Sequence, residues 1–159
     1  GQGAAFIVLE AAEHARSRGA QPSGELLGAG AAGEPQAVSV PWPADPRGRA
    51  FAAAMRAALK DAGLAPLDID TVVLAAADDA SEEGELAALR AVFNGSGESP
   101  ALLRPKRLLG ETLGASAGIG LLTALAAAGE GEAQGTRTAL VNAFEMGGSV
   151  SSLIVKAAS

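Results

Sequence analysis

No charged residue lies between Leu113 and Ala128, and this run constrains the fold more than any other feature of the chain. Its apolar side chains fall on every side of an α-helix, which predicts a helix over 113–128 buried on both sides. One side can pack on the chain's own sheet, whereas the other needs a further apolar layer. The run is shorter than the ~18 residues of a membrane span, so we expect no membrane insertion.

Short apolar runs alternate with helical patterns along the rest of the chain, which predicts an α/β fold with helices on both faces of a sheet. A buried strand over 4–9 and a helix over 10–18 come first. A mostly parallel sheet of five strands follows, and a hairpin through Met146, Gly147 and Gly148 closes it with an antiparallel strand. The five strands are expected at 25–33, 70–75, 101–103, 138–144 and 150–155.

Two further helices are predicted from their ends. Asp45 can cap a helix with Pro46 at its first position, and Gly63 ends that helix. Asp79 and Glu82 have the spacing of a capping box at the start of the next helix. A Pro-rich loop over 34–46 precedes the first of these two helices.

Composition excludes several classes of function. The 159 residues suffice for one domain with a core, and a net charge of −6 argues against binding nucleic acid. The absence of cysteine excludes disulfides, a thiolate nucleophile and cysteine-ligated metals. The chain opens at Gly1 without an initiator methionine or a signal sequence. We therefore expect a fragment, a cleaved product or a trimmed form, located in the cytoplasm.

Charged and glycine-rich segments give no cofactor or metal site. His14 is the only histidine and is expected on a solvated helix face. The cluster of Asp78, Asp79, Glu82 and Glu83 suits the start of a helix better than a hard cation. The glycines over 110–120 lack the dinucleotide-binding spacing and are expected to let a helix pack closely.

Five segments in the same order resemble the C-terminal half of the β-ketoacyl synthases, which have the thiolase-like fold. Residues 106–118 are similar to the family's KSxxGHTLGAAG, and residues 1–10 to its GEGAGVLVLE. The other matches are 13–19 to EHALARG, 55–64 to the first helix of the C-terminal half, and 142–148 to NSFGFGG. The resemblance implies that residues 1–23 are the end of the N-terminal half and residues 24–159 the C-terminal half-domain.

The departures from the family pattern fall on its catalytic positions. The first histidine falls on Ala75, or on Ala76 if a gap is placed differently, and the second falls on Glu111. The family lysine survives as Lys106, and the gating phenylalanine becomes Met146. The nucleophilic cysteine belongs to the N-terminal half. No intact catalytic residue is therefore implied in this chain.

Decarboxylative condensation needs a thiolate to carry the acyl group and neutral donors to stabilise the enolate. Ala75 offers no side-chain donor, and an ionised Glu111 would repel the enolate. Glu111 is expected to pair with Lys106 or Arg107 rather than to act as a base. The lysine is expected either to order a pocket or to form a structural ion pair.

In lacking the two histidines, the chain resembles chain-length factors, the inactive partners of some polyketide ketosynthases. The resemblance implies a non-catalytic subunit or fragment of a fatty-acid or polyketide condensing system. Its expected partner is an active ketosynthase subunit or its own N-terminal half, with acyl carrier protein and a second copy as further candidates. The alternatives are the C-terminal part of a divergent 3-oxoacyl-[acyl-carrier-protein] synthase with its nucleophile on another segment, and a pure interaction domain.

Overall fold

The computed structural model of the chain describes residues 1–34, 45–94, 99–130, 138–145 and 147–158. Strands and helices alternate in it, as the sequence predicts. Their order is α1 (Ala12–Ser17), β1 (Gly24–Gly33), α2 (Arg49–Ala62), β2 (Thr71–Val73), α3 (Asp79–Phe93), β3 (Ala101–Leu103), α4 (Pro105–Leu109), α5 (Ser116–Glu130), β4 (Thr138–Phe144) and β5 (Ser149–Ala157). Short 3-10 turns at Pro66–Asp68 and Leu113–Ala115 precede β2 and α5.

The five strands form one sheet in the order β1-β5-β4-β2-β3. β2 pairs in parallel with β3 and β4, as strands joined through helical crossovers do. β4 and β5 form the predicted antiparallel hairpin, and β1 pairs antiparallel with β5 at the edge of the sheet. The α/β fold and the five strands are confirmed, and the sheet is mixed because two of these four pairings are antiparallel.

Alternate residues of the strands build one apolar core on each face of the sheet. On one face, Phe51 and Met55 of α2 pack with Leu140 and Ile154. On the other face, Leu121 of α5 belongs to a second core, together with Val73, Ala124, Ala139, Val141 and Val155. Helices therefore cover both faces, as the pattern of apolar residues predicts.

Only the inward side of α5 is buried. Gly120 faces the sheet so closely that an added Cβ would lie 3.0 Å from the Val141 side chain. Leu122, on the outward side, leaves 45% of its surface exposed, and Leu113 leaves 62% exposed. Among the described residues, the prediction of a helix buried on both sides is therefore met on one side only. The helix also begins at Ser116, after a 3-10 turn, and not at Leu113.

The predicted strand over residues 4–9 is wrong. These residues pair with no strand, and Phe6 and Val8 are 92% and 88% exposed. The apolar run has no neighbouring strand to complete a ladder, so its pattern alone cannot form one. The helix that follows is α1, which is shorter than the predicted 10–18 and ends before Gly19, whose φ of 71° suits a helix terminus.

Two helix starts differ from prediction. α2 begins at Arg49 after Gly48, while Asp45 accepts hydrogen bonds from the Arg47 and Arg49 amides in the preceding turn. At α3, Asp78 and not Asp79 is the cap, because its backbone is extended and its carboxylate accepts from the Ser81 amide at 2.8 Å. The predicted helix end at Gly63 is confirmed, and α3 ends at Phe93, before Asn94.

Parts of two predictions lie outside the described residues. These are most of the Pro-rich loop over 34–46 and the position of Met146 in the hairpin. In the part of the chain that the structure describes, no helix is both long and apolar enough to cross a membrane.

Candidate active site

The loop that leaves β2 carries Ala75, the position on which the resemblance places the first histidine. Ala75 and Ala76 are both buried, with 2% and 4% of their surfaces exposed. Their amides donate hydrogen bonds to the two carboxylate oxygens of Glu85, at 2.9 and 3.0 Å. The loop therefore offers a methyl group at each position, and both amides are already used within the protein.

Glu85 of α3 is completely buried and organises a polar network behind this loop. Its carboxylate also accepts from Asn142 Nδ2 at 2.7 Å, and Asn142 Oδ1 accepts from the Ser152 hydroxyl at 2.7 Å. Burial raises the pKa of Glu85 to about 7, although these hydrogen bonds and the charge of Lys106 act in the opposite direction. The network joins α3, β4 and β5 across one face of the sheet.

Lys106 and Glu111, the lysine and second-histidine positions of the resemblance, are joined by an ion pair. Lys106 on α4 is only 7% exposed, and its Nζ lies 2.8 Å from Glu111 Oε2. Glu111 Oε1 accepts from the Leu113 amide and the Ser116 hydroxyl, each at 2.7 Å. Partial burial raises the pKa of Glu111, but the hydrogen bonds from Lys106, Ser116 and Leu113 outweigh it and hold the pKa below its usual value.

Lys106 and Asn142 line a narrow crevice together with Thr112 and Ile119. The volume inside this crevice is about 10 Å³, which is room for about one water molecule. The crevice links the two halves of the site, because Asn142 contacts Glu85 and Lys106 contacts Glu111. In its present form it has no space for an acyl chain.

Two carboxylates of the acidic cluster at the start of α3, Asp79 and Glu82, form ion pairs with arginines. Glu82 accepts from Arg104 at 2.7 Å and from Arg107 at 2.5 Å, and Arg107 also pairs with Asp79. These hydrogen bonds, that from Arg104 above all, lower the pKa of Glu82 against the effect of burial. Within the described ranges no group of three His, Cys, Asp or Glu residues could hold a metal ion. Arg107 therefore pairs with this cluster, and Lys106 is the partner of Glu111.

His14 lies on the exposed helix α1, where its Nδ1 is 2.7 Å from a Glu10 oxygen. This agrees with the solvated position expected for it. The site residues predicted from the sequence thus fall into two groups. Lys106 and Glu111 are in contact, whereas Ala75 contacts Glu85, which is bound in turn to Asn142 at the crevice.

The sequence reasoning missed Glu85 altogether. One signal was available, since Glu85 lies three and four residues before Ala88 and Leu89 on the apolar stripe of α3. A charged residue at such a position must be buried with partners.

Comparisons with known proteins agree with this fold. Residues 24–139 match the family model described as "Beta-ketoacyl synthase, C-terminal domain". The chain therefore belongs to the β-ketoacyl synthase family. A curated relative, 3-oxoacyl-[acyl-carrier-protein] synthase 2 of Mycobacterium tuberculosis strain H37Rv, is 37% identical over 128 residues.

Two solved structures are similar to the chain in fold. One is a type II polyketide synthase acyl-carrier protein in complex with its ketosynthase, with a TM-score of 0.82 and 20% identity over 94% of this chain. The other is the ishigamide ketosynthase/chain length factor, with a TM-score of 0.77 and 22% identity over 93% of this chain. The chain spans 30% of the length of the mycobacterial relative and 42% and 41% of these two structures.

Proposed function

We propose that this chain is a non-catalytic half of a ketosynthase-like protein in a fatty-acid or polyketide condensing system. In this role it resembles a chain-length factor: it completes the fold of an active ketosynthase subunit or of its own N-terminal half and supplies no condensing chemistry. We propose the cytoplasm as its location, in line with the sequence.

The proposal rests on one observation, the ion pair between Glu111 and Lys106. A condensing site must present neutral donors to the enolate oxygen that forms as carbon dioxide leaves. Here a carboxylate stands at one histidine position, and its low pKa keeps it negatively charged at neutral pH. An enolate beside it would be repelled. The lysine that would offset this charge already donates to the same carboxylate.

The other histidine position supports the same conclusion. Ala75 has no side-chain donor, and its amide donates to Glu85. A substrate oxygen at this loop would have to compete with a buried carboxylate for that amide. Neither position therefore offers a side-chain donor, and the crevice beside them has no room for an acyl group.

The exposed apolar surface supports a partner. Leu122 on α5 and Phe6, Val8 and Leu9 near the N-terminus are exposed, although such residues are usually buried. The curated relative and the similar structures are more than twice as long as the matched region, which fits a companion half packed against this side. The acyl-carrier-protein complex among those structures makes a carrier protein a further proposed partner.

The test is a condensation assay with acyl and malonyl thioesters of acyl carrier protein. The purified chain should give no β-ketoacyl product, and Glu111→His should not create any, because histidine cannot replace the acyl-carrying nucleophile. Product from the purified chain that Glu111→Ala abolishes would overturn the proposal.

A second candidate is supported by the curated relative, which is itself a 3-oxoacyl-[acyl-carrier-protein] synthase. In this alternative the chain is the C-terminal part of a divergent active synthase, and the nucleophile lies on an N-terminal segment. Expression together with an N-terminal ketosynthase half that contains the nucleophilic cysteine distinguishes the two. Condensation by the pair, lost when Glu111 is changed to Ala, would favour the alternative, whereas no condensation supports the non-catalytic assignment.

A further inference from the structure

Three buried polar side chains form a hydrogen-bonded series that runs from β5 through β4 to α3. Ser152 and Glu85 have 0% of their surfaces exposed, and Asn142 between them has 4%. The Ser152 hydroxyl donates to Asn142 Oδ1, and Asn142 Nδ2 donates to Glu85 Oε1, each at 2.7 Å. Both hydrogen bonds therefore have the same direction, from Ser152 toward Glu85.

The charge of Glu85 sets this direction. An ionised carboxylate only accepts hydrogen bonds, so the amide nitrogen of Asn142 has to face it. The two carboxylate oxygens also accept from the amides of Ala75 and Ala76, at 2.9 and 3.0 Å. Once Glu85 takes up a proton, it carries an O–H group that needs an acceptor, while three donors already face it.

The side chain of Asn142 can supply that acceptor. Its oxygen and nitrogen exchange places when the amide turns by about 180°, and the two arrangements have nearly the same shape. After this turn the Glu85 O–H donates to Asn142 Oδ1, and Asn142 Nδ2 donates to the Ser152 oxygen. A hydroxyl both donates and accepts, so Ser152 is a suitable partner in either arrangement.

The surroundings of Glu85 make both of its forms accessible near neutral pH. Burial raises the pKa of Glu85 to about 7, against the effect of its hydrogen bonds and of Lys106. Lys106 of α4 acts on it through its charge, whereas its contacts with the loop after β2 and with β4 are neutral. Glu82, one turn earlier on α3, is paired with Arg104 and Arg107.

We propose that Glu85, Asn142 and Ser152 form a proton-linked switch, in which proton uptake by Glu85 turns the Asn142 amide and reverses both hydrogen bonds. The reversal weakens the hold on the Ala76 amide, because a neutral carboxyl group is a weaker acceptor than a carboxylate. Ala76 lies in the loop after β2, and Leu74 of the same segment lines the crevice together with Asn142. The switch therefore couples the protonation of a buried group to the wall of the crevice.

Proton NMR of the chain at about pH 5 and about pH 8.5, on either side of the midpoint, tests the switch. At the higher pH the stronger nuclear Overhauser effect from the side-chain amide protons of Asn142 should be to the γ protons of Glu85. At the lower pH it should be to the β protons of Ser152. The amide proton of Ala76 should change its chemical shift with a midpoint near the pKa of Glu85, about 7.

Glu85→Gln supplies both a donor and an acceptor at every pH, so it should keep the Asn142 amide in the turned arrangement and abolish the midpoint at Ala76. Glu83→Gln, on the exposed side of the same helix, is the matched control and should titrate like the unaltered chain. The same Overhauser pattern at both pH values in the unaltered chain would overturn the proposal, even if Glu85→Gln does not fold. A turn of Asn142 with pH that persists in Glu85→Gln would also overturn it.

Discussion

Glu85 and Glu111 each contact a residue that lines the crevice, Asn142 and Lys106 respectively, and their surroundings move their pKa values in opposite directions. Glu85 is completely buried and is bound by neutral donors, the amides of Ala75 and Ala76 and the side chain of Asn142. Glu111 is partly exposed and is bound by the cation of Lys106. Burial raises the pKa of Glu85 to about 7, whereas the pKa of Glu111 stays below its usual value.

The opposite pKa shifts show whether burial or the bound donors dominate at each carboxylate. The hydrogen bonds from three neutral donors stabilise the charged form of Glu85 less than burial destabilises it. The charge of Lys106 adds little, because it acts only at a distance. A direct cation and two further donors outweigh the partial burial of Glu111. The carboxylate whose pKa lies near neutrality is therefore the structural one inside the fold. Glu111, which the resemblance aligns with the second histidine, is held in its charged form.

The largest effect is expected from Glu85→Ala, which leaves the amides of Ala75 and Ala76 and the Asn142 side chain without an acceptor in a closed cavity. We expect a loss of about 3 to 4 kcal/mol in the free energy of unfolding at pH 5, measured by urea denaturation. Glu83→Ala, on the exposed side of the same helix, should change it by less than about 0.5 kcal/mol. Similar losses in both variants would contradict the structural role of Glu85.

The pH dependence of stability sharpens the comparison. The pKa of Glu85 is higher in the folded state, about 7 against 4.5, so the folded state binds more protons between these values. The free energy of unfolding should therefore fall by about 3 kcal/mol as the pH rises from 4.5 to 7, at 1.36 kcal/mol for each pKa unit. Glu85→Gln should abolish most of this decrease. If the free energy of unfolding of Glu85→Gln still decreases over this pH range, groups other than Glu85 cause the decrease.

The ion pair between Lys106 and Glu111 should contribute less to the free energy of unfolding. Lys106→Met should lower the free energy of unfolding at pH 7 by about 1 to 2 kcal/mol, since Glu111 loses its cation while Leu113 and Ser116 still donate to it. The pKa of Glu111 is depressed, so the contribution of the pair is present above about pH 4.5 and is lost as the pH falls through the folded pKa. Lys60→Met on the exposed side of α2 is the control. A loss unchanged at low pH would show that the charge of Glu111 is not involved.

The smallest effect concerns the backbone that presents an amide to Glu111. Leu113 has a φ of 50°, the left-handed region that favours glycine, and its side chain is exposed. Leu113→Gly should raise the free energy of unfolding by about 0.5 kcal/mol, because relief of strain exceeds the added chain entropy. Leu122→Gly, also exposed but inside α5, should lower it by about 1 kcal/mol. A loss in both variants would show that Leu113 is not strained.

Much of the fold could be predicted because its strands and helices carry strong local patterns. β3 and β4 match their predicted bounds, and the glycine that ends α2 occupies the left-handed conformation expected of it. Residues 4–9 could not be placed, because an apolar run forms a strand only beside another strand. The start of α3 was missed by one residue, since Asp78 and Asp79 are equally good caps in sequence and only the backbone decides between them.

The site was predictable in part. A charged residue five positions after Lys106 was expected to pair with a neighbouring cation, and the structure shows which cation it is. The correspondence of Ala75, Glu111 and Lys106 to the family's catalytic positions stays a prediction from the resemblance. The Glu85 network was not predictable from the motifs, because its partners are backbone amides and residues of β4 and β5 that are distant in sequence.

The most direct test is a pH titration of the two carboxyl groups by carbon-13 NMR, with Glu85→Gln and Glu111→Gln used to assign the signals. The account predicts that Glu111 titrates below its usual value and that Glu85 titrates near 7. Glu111 would then be a fixed ion-pair carboxylate, unable to take up a proton at neutral pH. A Glu111 that titrates near neutrality would instead have the pKa of a general base and would contradict the proposed loss of catalytic chemistry at this position.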